Sequence, residues 1–403
     1  MPTPGEARIR QALCEPTSFD FAEESLSALA EFVGERHHIQ VLLHERALRN
    51  IGVDGSDGIT IRVRDMPLRS ALRLTLCQHD LTFVVRDGYL LITSRAEEET
   101  MKEARVYPVG DLVTGAGQPI ADIAAHYELL ATLIPVTVSS YSWQFSDRPP
   151  RLDTFQAGRA LVAYQSQTIH EEIESLLAAL RAARDDQGKL AEPPGPTHSE
   201  PQSALPKRPT EAYPRPNKTQ QEIAQRLSAR TELQFHEAPL VQLLDELQRV
   251  HQIQAVIDRD GLGNAGISLD VPINFHLTGL TLREALNSIL SELDLTYILR
   301  DDVLWITSKD IAENMTTTKV YPVLDLIITS DSKESARGEY DSLVQLIVAN
   351  ISTTTWDDGD EGSVMAYPPA GAIVVRQTAE RHNEVQRLLD ALRAAHDLAE
   401  TER

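Results

Sequence analysis

The sequence predicts an α+β protein built from two duplicated halves. Each half is a βαββαββ module followed by a small βαββα module. Three observations predict this. The stretch Phe19 to Ser94 recurs as Leu233 to Ser308 at a constant offset of 214 residues, with about a third of positions identical. Apolar spacing within each copy alternates between the helical and the strand period. The offset continues past the copy, from Val106-Tyr107-Pro108-Val109 to Val320-Tyr321-Pro322-Val323, and falls to 213 at Trp143 and Trp356 and 212 at His170 and His382. A period this long marks a domain-sized repeat, not a solenoid.

Each element follows from local pattern. Residues 6–14 and 222–230 read as short helices, then Phe19-Asp20-Phe21 and Leu233-Gln234-Phe235 as short strands. Leu240, Leu243, Leu244 and Leu247 form one apolar stripe, kept as Leu26, Leu29, Ala30 and Val33. An apolar strand at Ile253–Ile257 precedes a loop ending in Asn264-Ala265-Gly266. Ile273, Phe275 and Leu277 alternate as a second strand, as do Ile59, Ile61 and Val63. A second helix carries Leu282, Ala285, Leu286, Ile289 and Leu290, and Thr281 with Glu284 has capping-box spacing before it. A hairpin closes the module, with Asp87-Gly88 as a two-residue turn in the first copy.

The trailing module opens with VYPVGDLV (106–113) or VYPVLDLI (320–327). It continues with a helix at Leu130-Leu133-Ile134 or Leu343-Leu346-Ile347, a tryptophan (Trp143 or Trp356) and a strand at Leu161–Tyr164 or Ile373–Val375. It ends in an amphipathic helix with Ile173, Leu176, Leu177 and Leu180, matched by Val385, Leu388, Leu389 and Leu392. The expected divisions are 1–105 and 106–185, a proline-rich linker at 186–217, then 218–319 and 320–398. The linker lacks the apolar content to fold alone, so the halves need not hold a fixed orientation. Each half, 1–185 and 218–403, is expected to fold by itself.

Composition narrows the functional classes. The 403 residues carry a formal net charge of −22, with 24% charged and 42% hydrophobic residues. That acidity argues against a general nucleic-acid face, which needs clustered Lys and Arg. No segment approaches the apolar length of a membrane span. The first residues lack the apolar core of a signal peptide, so an export signal is not expected within this chain. The two cysteines, Cys14 and Cys77, have serines at their repeat counterparts and read as free thiols.

The repeated unit resembles the secretin and TonB short N-terminal domain. The resemblance rests on an ordered set: Phe21 to Leu26 and Phe235 to Leu240, then Leu68-Arg69-Ser70-Ala71-Leu72 and Leu282-Arg283-Glu284-Ala285-Leu286, then the L-T-[FY]-x-[VL]-R-D hairpin ending in I-T-S. The trailing module looks like the αββα ring-building domains that follow the short domain in secretins. The tandem arrangement resembles envelope proteins of planctomycete-type bacteria. The resemblance implies a periplasmic or envelope location, with a cytoplasmic one as the alternative. It also implies a non-enzymatic protein-interaction or scaffold role, as at the entrance of a secretin channel or on a TonB-dependent signalling receptor. Neither a secretin pore domain nor an outer-membrane barrel pattern is present, so channel formation is not implied.

No catalytic, cofactor-binding or metal-binding residue is assigned. Phosphate-loop and nucleophile-elbow motifs are absent, and Gly115-Ala116-Gly117 reads as a loop. His37, His38 and His44 cluster, but only His37 recurs, as His251; Gln252 and Asp258 replace the others. His170 and His382 recur at the start of the last helix and read as a structural cap or surface contact. Asp357-Asp358-Gly359-Asp360-Glu361 lacks calcium-loop spacing. Trp143 and Trp356 read as core anchors, and Asp111 and Asp325 as turn caps. The expected partner is a protein, taken by strand addition to a sheet edge; no oligomeric state follows. A regulatory sensor holding a peptide or small ligand between modules is the second reading.

Leu286→Asp puts a charge on the buried stripe of its helix and is expected to unfold the second copy. Arg283→Asp, one turn round on the expected solvent face, is expected to change stability by less than about 0.5 kcal/mol. Urea denaturation of both variants checks the placement of the helix.

Overall fold

Helices and strands alternate along the chain in the order that the apolar periods predict, and they assemble as an α+β protein. The computed structural model describes residues 3–114, 120–143, 150–191, 211–327, 333–351, 356 and 362–401.

The first half contains α1 (Pro4–Ala12), β1 (Pro16–Ser25), α2 (Leu26–His37), β2 (Val41–Leu43), α3 (Glu45–Asn50), β3 (Gly58–Pro67), α4 (Leu68–Leu76), β4 (Leu81–Arg86), β5 (Tyr89–Ser94) and α5 (Arg95–Thr100). Its trailing module follows as β6 (Glu103–Pro108), α6 (Gly110–Val113), α7 (Ile120–Thr137), β7 (Arg151–Phe155), β8 (Ala160–Gln165) and α8 (Gln167–Ala191). The second half has α9 (Lys218–Leu227), β9 (Arg230–Pro239), α10 (Val241–Val250), β10 (Ala255–Ile257), α11 (Arg259–Asn264), β11 (Pro272–Thr281), α12 (Leu282–Ser291), β12 (Leu295–Arg300), β13 (Val303–Ser308) and α13 (Lys309–Asn314). It ends with β14 (Thr316–Pro322), α14 (Lys333–Asn350), β15 (Ser363–Tyr367), β16 (Ala372–Thr378) and α15 (Ala379–Thr401).

Each leading module holds two sheets. A long antiparallel pair, β1 with β3 or β9 with β11, lies beside a three-stranded sheet ordered β2-β5-β4 or β10-β13-β12, whose first two strands are parallel. The strand expected at Phe19-Asp20-Phe21 runs from Pro16 to Ser25, because the residues on both sides of it, most of them exposed, still pair with β3. The register shifts near Glu23 and Glu237, whose φ angles are 57° and 46°; such bulges accommodate one residue beyond the ladder. The stretch read as a loop before Asn50 and Asn264 contains the short helices α3 and α11. Buried Leu48 and Leu262 hold them down. Gly261 is required there, since a Cβ would collide with Thr307 Oγ1.

Each trailing module is a three-stranded antiparallel sheet, β6-β8-β7 or β14-β16-β15. Both ends of the expected linker are ordered. α8 continues to Ala191, and Tyr213 bridges to Val320 with backbone hydrogen bonds of 2.7 and 2.8 Å.

The chain divides into two compact units that cut across the halves. One contains Met1–Met101 and Pro216–Ala312, the two leading modules. The other contains Lys102–Arg215 and Glu313–Arg403, the two trailing modules. Like therefore packs with like inside each unit.

A buried tyrosine–histidine tie recurs in the trailing modules. His170 Nε2 lies 2.9 Å from the Glu103 carbonyl and must donate to it, so Nδ1 accepts from Tyr107 Oη at 2.6 Å. His382 repeats this with Thr317 at 2.8 Å and Tyr321 at 2.9 Å. Burial, with Lys319 nearby, drives the His382 pKa down to about 3, and burial lowers that of His170. Unfolded histidine titrates near 6.5. The unfolded chain therefore takes up the proton first, and stability is lost as pH falls from about 6.5 towards the folded value. At pH 5 His382 alone costs roughly 2 kcal/mol relative to pH 7.5. His382→Gln is expected to flatten the dependence of unfolding free energy on pH between 5 and 7, as measured by urea denaturation.

Candidate functional site

What the residues build is a set of complementary faces through which the modules of each unit pack on one another. Within the trailing pair, the strands of β14-β16-β15 alternate. Tyr321, Ile373 and Val375 point to one side, into the core shared with α14 and α15. Val320, Val374, Met365, Ala372 and Tyr367 point to the other, into a core made with α7 and α8 from the first half. Polar groups fix the register. Tyr367 Oη donates to the Leu112 carbonyl at 3.1 Å, Ser363 Oγ to that of Val136 at 3.0 Å, and Gln187 Nε2 to that of Gly371 at 2.8 Å. Thr318 Oγ1 donates to the Thr137 carbonyl. Gly371 has φ of 60°, and a Cβ there would collide with Gln187.

This contact is heterologous: the helices of one module cover the sheet of the other. A two-fold pairing would place identical surfaces together and leave none over. Here one of each remains. Pairing along β6-β8-β7 puts Val106, Val162 and Asp153 in a row, and Pro108, Ala160 and Phe155 in the next, matching Val320–Val374–Met365 and Pro322–Ala372–Tyr367. Yet Val106 is 63% exposed and Phe155 56%, whereas Val320 and Tyr367 are fully buried.

The leading pair uses the same kind of asymmetry. Val256 and Trp305, on the outer face of β10-β13-β12, are buried in the core of the first leading module. Gln254 spans the backbone of β3, accepting from Arg64 N at 3.2 Å and donating to the Arg62 carbonyl at 2.8 Å. Arg73 pairs with Asp301 at 3.1 Å. Of the matching residues in the first module, Leu42 is 38% exposed but Leu91 is half-buried, so this face is only partly open. Beside the seam a cleft of about 390 Å³ is lined by Phe21, Arg62, Arg64, Leu244 and Gln254 among others. Its Asp20 and Arg62 neutralise each other at 2.7 Å.

The polar residues singled out by sequence resolve into structural ties. His37 Nδ1 lies 3.3 Å from Glu15, and His44 Nδ1 lies 3.2 Å from Thr93. Asp258, in the place of His44, accepts from Thr307 at 2.7 Å. Among the described residues no three His, Cys, Asp or Glu side chains are grouped to hold a metal. The indole nitrogens of Trp143 and Trp356 donate to the carbonyls of Val138 and Ile351. Asp111 and Asp325 are not turn caps. Each accepts from an arginine of the last helix, Arg181 at 2.8 Å and Arg393 at 2.8 Å, and those arginines also reach the carbonyls of Pro108 and Pro322. Burial alone would raise the Asp111 pKa; Arg181 and Arg184 hold it below the usual carboxylate range. The recurrence of arginine at 181 and 393, with offset 212, is the signal that could have found this clamp. Gly115-Ala116-Gly117 and Asp357 to Glu361 lie outside the described residues.

No helix among the described residues is long and apolar enough to cross a membrane. Cys77 is half-buried near Arg300, Asp258 and Asp301 of the second module, and burial pushes its thiol up to about 12. Cys14 is exposed. A thiol reagent at pH 8 is expected to label Cys14 and spare Cys77 in the native protein, and to label both in denaturant. Trp305→Ala opens the seam and should cost about 3–5 kcal/mol. It is expected to raise the native labelling rate of Cys77, read by mass spectrometry.

No family model matches the chain, and no curated protein matches it. Several solved structures are similar, these two among them. One is titled "Structure of XcpQN012", at 14% identity, covering 41% of this chain and 65% of that one, with a TM-score of 0.16. The other is titled "Atomic model of the Salmonella SPI-1 type III secretion injectisome basal body proteins InvG, PrgH, and PrgK", at 9% identity, covering 93% of this chain and 45% of that one, with a TM-score of 0.17. The chain thus spans less than two thirds of either neighbour's length.

Proposed function

We propose that the protein is a non-enzymatic interaction or scaffold protein of the bacterial cell envelope. It is built from two tandem copies of a module similar to the secretin and TonB short N-terminal domain, each followed by a ring-building-like module. One observation carries this reading: the recurring polar residues are spent on tying elements together within each module, while the surfaces left over are apolar sheet and helix faces. Val106, Phe155, Leu42, Val250, Leu299 and Leu324 are large apolar side chains left exposed, and contiguous apolar surface marks interaction sites. The partner is a protein, docked on a sheet face or added as a strand at a sheet edge. The β14 edge at Val320 already accepts Tyr213 in this way.

A photo-crosslinking residue placed at Leu42, Val250, Leu299 or Leu324 in cells is expected to capture one defined protein of the envelope. The cleft beside Gln254 supports the second reading, a sensor of a peptide or small ligand. No crosslink at any of the four positions, together with a ligand-dependent rise in melting temperature abolished by Arg64→Glu, would overturn the scaffold in favour of the sensor.

A further inference from the structure

We propose that the cleft beside Gln254 binds a small non-peptide amphiphile, an apolar chain ending in one carboxylate. This goes beyond the scaffold reading, which it leaves intact, and gives the cleft of the second reading a ligand class. The cleft, of about 390 Å³, falls in the size range of small-molecule pockets. One wall comes from β1 and β3 of the first leading module. The other comes from α10, β10 and the start of α11 of the second. Phe21, Leu244 and Leu269 pack against the two cores with part of their surface uncovered, and Val241 is 39% exposed. An apolar chain lying along these side chains would cover them.

The charges in the cleft do not cancel. Arg62, Arg64 and Arg259 line it against Asp20 and Asp245, leaving a cation in excess in a chain of net charge −22. Arg62 is taken up by Asp20. The guanidinium groups of Arg64 and Arg259, one on each wall, have no ion pair or hydrogen bond among the described residues. A guanidinium donates two parallel N–H bonds to a carboxylate and keeps its charge at any working pH. Asp245, exposed on α10, repels a second acid group, so the ligand carries one. The duplication supplies an internal control. Val241, Leu244, Arg64 and Arg259 correspond at the fixed offset to Ser27, Ala30, Thr278 and Glu45, so the fold itself requires neither the apolar bulk nor the cations at these places. Gln254 decides against a peptide. An extended peptide would ladder onto the free edge of β3, but the Gln254 amide already occupies that edge at the Arg62 carbonyl and the Arg64 N–H. Recognition therefore falls to side chains, which suits a ligand without a backbone.

Decanoate is the probe, with decanol as the same chain lacking the charge. Isothermal titration of the full chain at pH 7.5, below the micellar or solubility limit of each probe, tests the proposal. The expected result is a single saturable decanoate site, a melting temperature that rises with decanoate concentration, and decanol binding weaker by about tenfold or more. Arg64→Gln and Arg259→Gln alter exposed residues. Each is expected to weaken decanoate by about tenfold, with decanol binding and the ligand-free melting temperature unchanged. Decanol binding as tightly as decanoate, either arginine variant keeping the native affinity, or no saturable decanoate site would each overturn the proposal. An acidic peptide that raises the melting temperature and loses its effect in Arg64→Glu, while decanoate stays silent, would overturn this ligand class and keep the sensor reading. Crosslinking to an envelope protein at the positions named above would be unaffected, so the scaffold reading stands or falls separately.

Discussion

The trailing sheet of the second half is buried on both faces, and much of the second unit follows from that. Its own helices cover Tyr321, Ile373 and Val375, while α7 and α8 cover Val320, Val374 and Tyr367. A strand covered twice loses the apolar–polar alternation of a half-exposed one. The central strand β16 accordingly runs Ala372-Ile373-Val374-Val375 with all four residues buried. The same constraint fixes Gly371 and the alanines of α8. It also makes Tyr213 useful: it seals one sheet edge while its ring packs into the shared core.

The leading unit meets a related demand by different means. Val256, Val303 and Trp305 supply apolar surface, and Gln254 satisfies the exposed backbone of β3 with a side-chain amide. Amide-to-backbone bonds of this kind set register more than they add energy. The Arg73–Asp301 pair is partly exposed and contributes little by itself. Apolar burial therefore holds this seam, with polar groups deciding where it sits.

The order of elements was legible in the sequence because apolar spacing reports local structure directly. Leu282 to Leu290 and Ile173 to Leu180 were found on helices with their stripes buried. What spacing could not report was partnership across halves. Two copies of one pattern do not say whether each module packs on its sequence neighbour or on its likeness. The Asp111–Arg181 and Asp325–Arg393 clamps were missed for a related reason, since each joins residues about 70 apart whose types are common on surfaces. α11 was hidden by Gly261 and Gly263, which weaken a helical pattern. There a buried leucine outweighs propensity.

The connection between the halves has its two ends on one body. It leaves the trailing unit at the end of α8 and returns to it at Tyr213. Both attachment points of the connection therefore lie on the trailing unit, and the apolar contacts between its two modules do not depend on it. A protease that cut it would leave two fragments gripping each other through the sheet faces, so cleavage would change the connectivity of the molecule while its noncovalent contacts still held it together.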